Sequence, residues 1–266
     1  MKIGFIGGGA MCEALVSGIV KRAVVSAEDV YVSDHKQERC GYLQDVYKVH
    51  AMVGADAFLE QVDVLFLAVK PQAAEKAFKE VCSRLPVSTL VVSIVAGITL
   101  QTLESFFREQ PVVRVMPNTP MAVGEGMSAY VLGTHAAAVD GDRVCQLLTA
   151  AGKAVCVKEG AMDAVTGLSG SGPAYAFLMI DALSDGGVAA GLPRQAAITL
   201  AAQTLFGAAK MVLETGQHPD VLRDQVTSPA GTTIAGVRVM EQRGVRGALL
   251  DAVLAAADKS KAMGKK

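Results

Sequence analysis

Short, β-branched apolar runs alternate with helical segments through roughly the first 158 residues of this 266-residue chain, and beyond residue 160 the strand-like runs stop. The runs are "KIGFIG" (2–7), "DVYVSD" (29–34), "VDVLFLAV" (62–69), "TLVVSIVA" (89–96), "VVRVMPN" (112–118), "SAYVLG" (128–133) and "KAVCVK" (153–158). Helical spacing at Ala14, Leu15, Gly18 and Ile19 places a helix over 10–21, and another is expected over 140–151. Alternation of this kind specifies βαβ units around a parallel sheet. The later half reads as Ala-, Leu- and Met-rich helices over 173–190, 193–215, 219–226, 229–243 and 246–262. Pro173 and Pro193 suit first helical positions, and Gly191 and Gly216 serve as stops. The chain is therefore expected to be α/β over 1–158 and all-α over 159–266. The first two helices of the second half are apolar on most faces, which requires burial against other helices of the same or a second chain.

Charge and cysteine usage exclude several classes of partner. Lys plus Arg number 25 against 26 Asp plus Glu, a formal net charge of −1. That balance gives no electrostatic attraction for nucleic acid or an anionic membrane, and the basic end "KSKAMGKK" reads as a solvated tail. The five cysteines (Cys12, Cys40, Cys82, Cys145 and Cys156) form no C-x-x-C pair and are expected to be reduced, mostly buried thiols of a cytoplasmic protein. The four histidines are scattered, so no metal site is expected. The longest uncharged stretch, 85–103, is broken by Pro86 and Gly97 and reads as a buried strand, not a membrane span. No signal peptide is expected at the amino terminus.

"FIGGGAMC" sets Gly7, Gly8 and Gly9 between the first strand and the first helix. Glycines suit a tight turn where backbone approaches a pyrophosphate at a helix N-terminus. The third glycine of the G-x-G-x-x-G pattern is replaced by Cys12, so the motif is weak alone and rests on its context. That context includes Asp34 at the end of the second strand. A carboxylate there accepts from a ribose 2′-hydroxyl and repels a 2′-phosphate, favouring NAD over NADP, although Lys36 and Arg39 lie close enough in sequence to counter it. Lys70 in "AVKPQ" lies where such sheets present loops to ligand, and the two prolines of "MPNTP" fix the backbone around Asn118, as a positioned amide or simply a rigid loop. "SGSGPAY" reads as the joint between the halves.

Taken in order, "FIGGGAM", "AVKPQ", "MPNTP", "LSGSGPAY" and "VTSPAGTTIAGV" make the whole chain resemble the pyrroline-5-carboxylate reductases. The resemblance implies an amino-terminal Rossmann-type domain and a carboxy-terminal helical domain that interleaves with its twin in a homodimer, within a larger ring such as a decamer. It implies reduction of 1-pyrroline-5-carboxylate to L-proline with NADPH or NADH, the last step of proline biosynthesis. Carried over residue by residue, cofactor contacts fall on Ile6, Gly7, Gly8, Gly9, Ala10, Met11, Asp34, Ala68, Val69, Lys70, Pro71, Ile94, Val95 and Ala96. Substrate contacts fall on Gln225, Val226, Gly231, Thr232 and Thr233, with Thr233 in the catalytic position as hydrogen-bond partner of the ring nitrogen.

The sequence departs from the family in places. Asp34 stands where NADPH-preferring relatives often carry a small hydroxyl residue, and an asparagine that many members place before the next strand is not evident in "HAMVGADAFLEQ". Both weaken the expectation of NADPH preference. Ala230 replaces a common glycine, which is tolerable at negative φ.

The late motif holds no ionisable group after Gln225. Pro229 early in a helix and free amides at Gly231, Thr232 and Thr233 would bind a carboxylate through backbone donors alone; the competing reading is an ordinary Ser228 cap. Holding a nicotinamide against an imine carbon contributes roughly 7–11 kcal/mol through proximity, against about 3–5 for general acid catalysis, so no strong acid is required. Two other functions share the outline. A 2-hydroxyacid dehydrogenase would need a Lys or His acid, for which the helical half offers only Lys210 and His218 before the motif. A nucleotide-binding regulator would bind dinucleotide without turnover.

Overall fold

The computed structural model describes residues 1–264. In chain order it forms β1 (Ile3–Ile6), α1 (Ala10–Lys21), β2 (Val30–Ser33), α2 (Gln37–Tyr47), β3 (His50–Met52), β4 (Val64–Leu67), α3 (Pro71–Cys82), β5 (Leu90–Ser93), α4 (Leu100–Phe106), β6 (Val112–Met116), β7 (Gly126–Leu132), α5 (Ala138–Thr149) and β8 (Gly152–Cys156). Then follow α6 (Met162–Val165), a π-helical turn (Thr166–Gly170), α7 (Gly172–Ala189), α8 (Arg194–Thr215), α9 (Pro219–Gln225), α10 (Thr232–Gln242) and α11 (Val245–Met263). By packing the chain divides into two units, one of Met1–Gly170 with the stretch from Ala256, the other Ser171–Ala255.

The first unit is built on one eight-stranded sheet of order β3-β2-β1-β4-β5-β6-β7-β8. Every neighbouring pair is parallel except β6 with β7. The central strands are short and apolar on both faces, as a sheet covered by helices on each side requires: β1, β4 and β5 are buried throughout. Phe5 and Phe66, paired in register on β1 and β4, stack with ring centroids 4.8 Å apart. One core gathers Leu15, Val16 and Ile19 of α1 with Leu147 and Leu148 of α5, and a second gathers Phe78 of α3 with Phe107 and Leu103. The expected α/β architecture is the one observed, and the order reverses between β1 and β4, the crevice where open α/β sheets take their ligands.

The second unit is helical, its antiparallel pair α7 and α8 joined through the left-handed Gly191. Arg194 ties the pair by donating to the Ser184 hydroxyl at 2.9 Å and meeting Asp185 at 2.6 Å. Phe177 and Leu178 on α7, and Leu200, Phe206 and Leu213 on α8, stay more than a third exposed in the single chain. Among the described residues α8 alone is long and apolar enough to cross a membrane, with only 11% of its most apolar window buried.

One strand was missed and two local expectations are corrected. The strand β3 was not legible, because three residues centred on Ala51 carry no apolar run; backbone pairing to β2 and stacking of His50 on Tyr31 at 5.0 Å create it. The helix expected from residue 229 begins at Thr232. Of the cysteines only Cys12 and Cys40 are buried, while Cys82 and Cys145 are half-buried and Cys156 is exposed on the edge strand β8.

Candidate active site

The turn from β1 into α1 is held as tightly as its glycines suggested. Gly7 has φ +101°, donates to the Ser33 carbonyl at 2.7 Å, and a Cβ there would lie 2.7 Å from the Ala68 carbonyl oxygen. Gly9 caps α1 without any side-chain cap, so the first amides of the helix are open. Cys12, where the motif would have its third glycine, lies fully buried on the core face of α1, and burial pushes its thiol far up so that it stays protonated.

Gly7, Gly8, Gly9, Asp34, Ala68, Val69 and Lys70 line one cavity of about 530 Å³, together with His35, Lys36, Arg39 and Ala73. Seven expected cofactor residues are thus brought together. Ala10 and Met11 form the first turn of α1 beside it, and Pro71 is the first residue of α3 after its exposed N-cap Lys70. Ile6, Ile94 and Val95 have their side chains in the core, so only their backbone can meet a ligand; Ala96 is exposed.

Asp34 folds back on the glycine turn. Its Oδ2 accepts from the Gly8 amide at 2.8 Å, its Oδ1 accepts from the Lys36 amide at 3.0 Å, and His35 Nδ1 lies 3.2 Å away. Asp34 is also among the residues that line the cavity. Sequence reasoning missed the group behind the turn. Arg39 donates from Nε to the Gly8 carbonyl and from Nη2 to Glu13, whose other oxygen accepts from Tyr42 and Tyr47. The spacing of Arg39 and Tyr42, one turn apart on a helix, was the available signal. Burial alone would raise the Glu13 carboxyl, but bonds from Arg39, Tyr47 and Tyr42 outweigh it and hold it below the ordinary carboxylate range.

The residues present fit a dinucleotide. The cavity opens onto an uncapped helix N-terminus able to face a pyrophosphate. A Cβ at Gly9 would meet no protein atom within 4 Å and would stand in the hollow itself.

Asn118 has a structural role: its amide donates to the Ser169 carbonyl at 3.0 Å and its oxygen accepts from the Met127 amide at 2.8 Å. It fixes the "MPNTP" loop between β7 and the π-helical turn.

In the second unit, Gln225 ends α9 and donates to Gln217 at 3.0 Å, and Val226 follows exposed. Gly231 is the N-cap of α10, in extended conformation, with Thr232 and Thr233 as the first helical residues and no side-chain cap. The Gly231 amide is not free, since it donates to the Ser228 carbonyl at 3.1 Å. The open donors therefore begin at Thr232, and Ser228 is not the cap of this helix. A Cβ at Gly231 would fall 2.3 Å from the Ser228 hydroxyl, so a larger residue would require that side chain to turn away.

Ala230 does not have the negative φ that would make it a neutral replacement for glycine: φ is +56°. An alanine held there costs roughly 1–2 kcal/mol. Glycine would relieve that but lose about 0.4–1 kcal/mol through its freer unfolded chain. Ala230→Gly is expected to raise Tm by about 1–3 °C; a lower Tm in a thermal melt would exclude the left-handed residue.

A family model described as pyrroline-5-carboxylate reductase dimerisation matches residues 159–263, and one described as NADP oxidoreductase, coenzyme F420-dependent, matches residues 2–97. A pyrroline-5-carboxylate reductase of Arabidopsis thaliana is 46% identical over 260 residues, covering 98% of this chain and 94% of that protein. The solved structure of a pyrroline-5-carboxylate reductase from Coxiella burnetii superposes with a TM-score of 0.94 at 30% identity, covering 100% of this chain and 99% of that one. That of Plasmodium falciparum pyrroline carboxylate reductase with NADP bound gives 0.88 at 33% identity, covering 99% and 98%. Matched over nearly its whole length in both sequence and fold, the chain belongs to the pyrroline-5-carboxylate reductase family.

Proposed function

We propose that this chain reduces 1-pyrroline-5-carboxylate to L-proline with NAD(P)H, and that the α10 N-terminus holds the substrate. The observation that supports the substrate site most is the uncapped start of α10 at Thr232 and Thr233. A helix N-terminus offers unpaired amides and a partial positive charge to a carboxylate, with no charged side chain needed. Gly231 keeps that approach open by lacking a side chain, and Gln225 and Val226 border it on the preceding turn. The Thr233 hydroxyl then meets the ring nitrogen and orients the imine. When bound, the nicotinamide supplies the hydride that the imine carbon receives. The glycine turn and the α1 amides hold the pyrophosphate, while Lys70 borders the same cavity and Pro71 follows it as the first residue of α3.

Residues 1–158 are proposed as the dinucleotide domain and 159–266 as the dimerisation and substrate domain. A second copy of the chain would cover the exposed apolar faces of α7 and α8, by interleaving of the helical domains and further assembly into a ring such as a decamer.

The assay is direct: purified protein should oxidise NADH or NADPH only when the pyrroline is present, and reduce NAD(P)⁺ with proline at high pH. Dinucleotide binding without either turnover would leave a regulator. A carboxylate such as Asp34 accepts from a 2′-hydroxyl and repels a 2′-phosphate, so kcat/KM with NADH is expected to equal or exceed that with NADPH. A large NADPH advantage would mean that the lysine and arginine beside Asp34 dominate.

A further inference from the structure

The cavity at the glycine turn contains two side chains of opposite preference. Asp34 suits a 2′-hydroxyl, and Arg39, five residues on, is a planar cation suited to a 2′-phosphate. Both line the same cavity. Their freedom differs. Arg39 Nε donates to the Gly8 carbonyl at 2.5 Å, its Nη2 pairs with Glu13, and its guanidinium lies 5.0 Å over the Tyr42 ring. Glu13 is fixed in turn by Tyr42 at 3.0 Å and Tyr47 at 2.9 Å. Asp34 fastens the other side of the same residue through the Gly8 amide at 2.8 Å. The arginine's charge is thus answered, and its head is held against the turn from behind.

We propose that Glu13, steadied by Tyr42 and Tyr47, sets the dinucleotide preference by holding Arg39 on the Gly8 carbonyl, which leaves Asp34 to meet the ribose. Glu13 is a positioning residue, acting through Arg39. The proposal rests on the dinucleotide reading of this cavity. Without Glu13 the guanidinium is free to exchange the Gly8 carbonyl for a phosphate dianion, the stronger acceptor.

The test is calorimetric titration of NADH and NADPH into the full-length protein, with no turnover needed. Glu13→Gln is expected to shift the ratio of the two dissociation constants toward NADPH by about fivefold or more, within the range of one charge-assisted hydrogen bond. Tyr42→Phe with Tyr47→Phe should shift it the same way by less. In an Arg39→Gln background the Glu13→Gln shift should vanish. An unchanged ratio in Glu13→Gln overturns the proposal, and so does an equal shift without Arg39, which would be a general field effect. Should Glu13→Gln fail to fold, the tyrosine pair decides by the same ratio, an unmoved one overturning the proposal. Wild-type protein that binds neither dinucleotide would refute the cavity's assignment instead.

Discussion

Gly7→Ala is expected to weaken dinucleotide binding by about tenfold to a hundredfold and to lower thermal stability as well. Two effects add at this position. The residue sits at φ +101°, outside the region that L side chains adopt readily, and the new Cβ would lie 2.7 Å from the Ala68 carbonyl oxygen and 2.9 Å from its carbon. Backbone strain of this sort is on the order of 1–3 kcal/mol. The turn can relieve it only by moving away from β4, and at about 1.4 kcal/mol per tenfold that displacement accounts for the loss of affinity. Gly9→Ala separates ligand from fold. Gly9 has φ −68° and no protein neighbour at its Cβ position, so Tm should stay near wild type while the added methyl intrudes on the ligand. Unchanged affinity in both variants, read by fluorescence titration, would remove the dinucleotide from this turn.

Thr233→Ala is expected to lower kcat/KM for the pyrroline by roughly tenfold or more, with the dinucleotide dissociation constant nearly unchanged, on the scale of one oriented hydrogen bond to a charged group. The residue stands on the first turn of α10, so the substitution removes a hydroxyl without disturbing a cap, and alanine is an adequate helix former there. Thr233→Ser keeps the hydroxyl and should recover most of the activity. Wild-type steady-state kinetics in Thr233→Ala would end the assignment of the ring nitrogen to this residue.

Much of this site was readable in advance because its signals are local. The glycine turn lies between a strand and a helix and is followed by an acidic residue at the end of the second strand, and the cavity gathers Gly7 to Gly9 with Asp34 and Lys70. What escaped was contributed by neighbours distant in sequence. Glu13 on α1 and Tyr42 and Tyr47 on α2 lie far apart in sequence, and only the packing of the two helices brings the tyrosines onto one carboxylate. Likewise the start of α10 was placed too early at Pro229, because a proline favours a first helical turn and nothing local discloses that Ala230 turns left-handed and that the Gly231 amide is taken by Ser228.

By itself the sequence determined the α/β-then-helical order, the strands whose apolar runs are long enough to bury on two faces, and the position of the glycine turn, since each depends on periodicity or on steric limits within a few residues. Tertiary structure decided the rest. The short strand β3 exists through pairing to β2, Asp34 and Arg39 meet on the amide and the carbonyl of Gly8, and the open donors of α10 are chosen by the bend before it. These features depend on where hydrogen-bonding groups meet across the fold, and periodicity along the chain carries no record of such meetings.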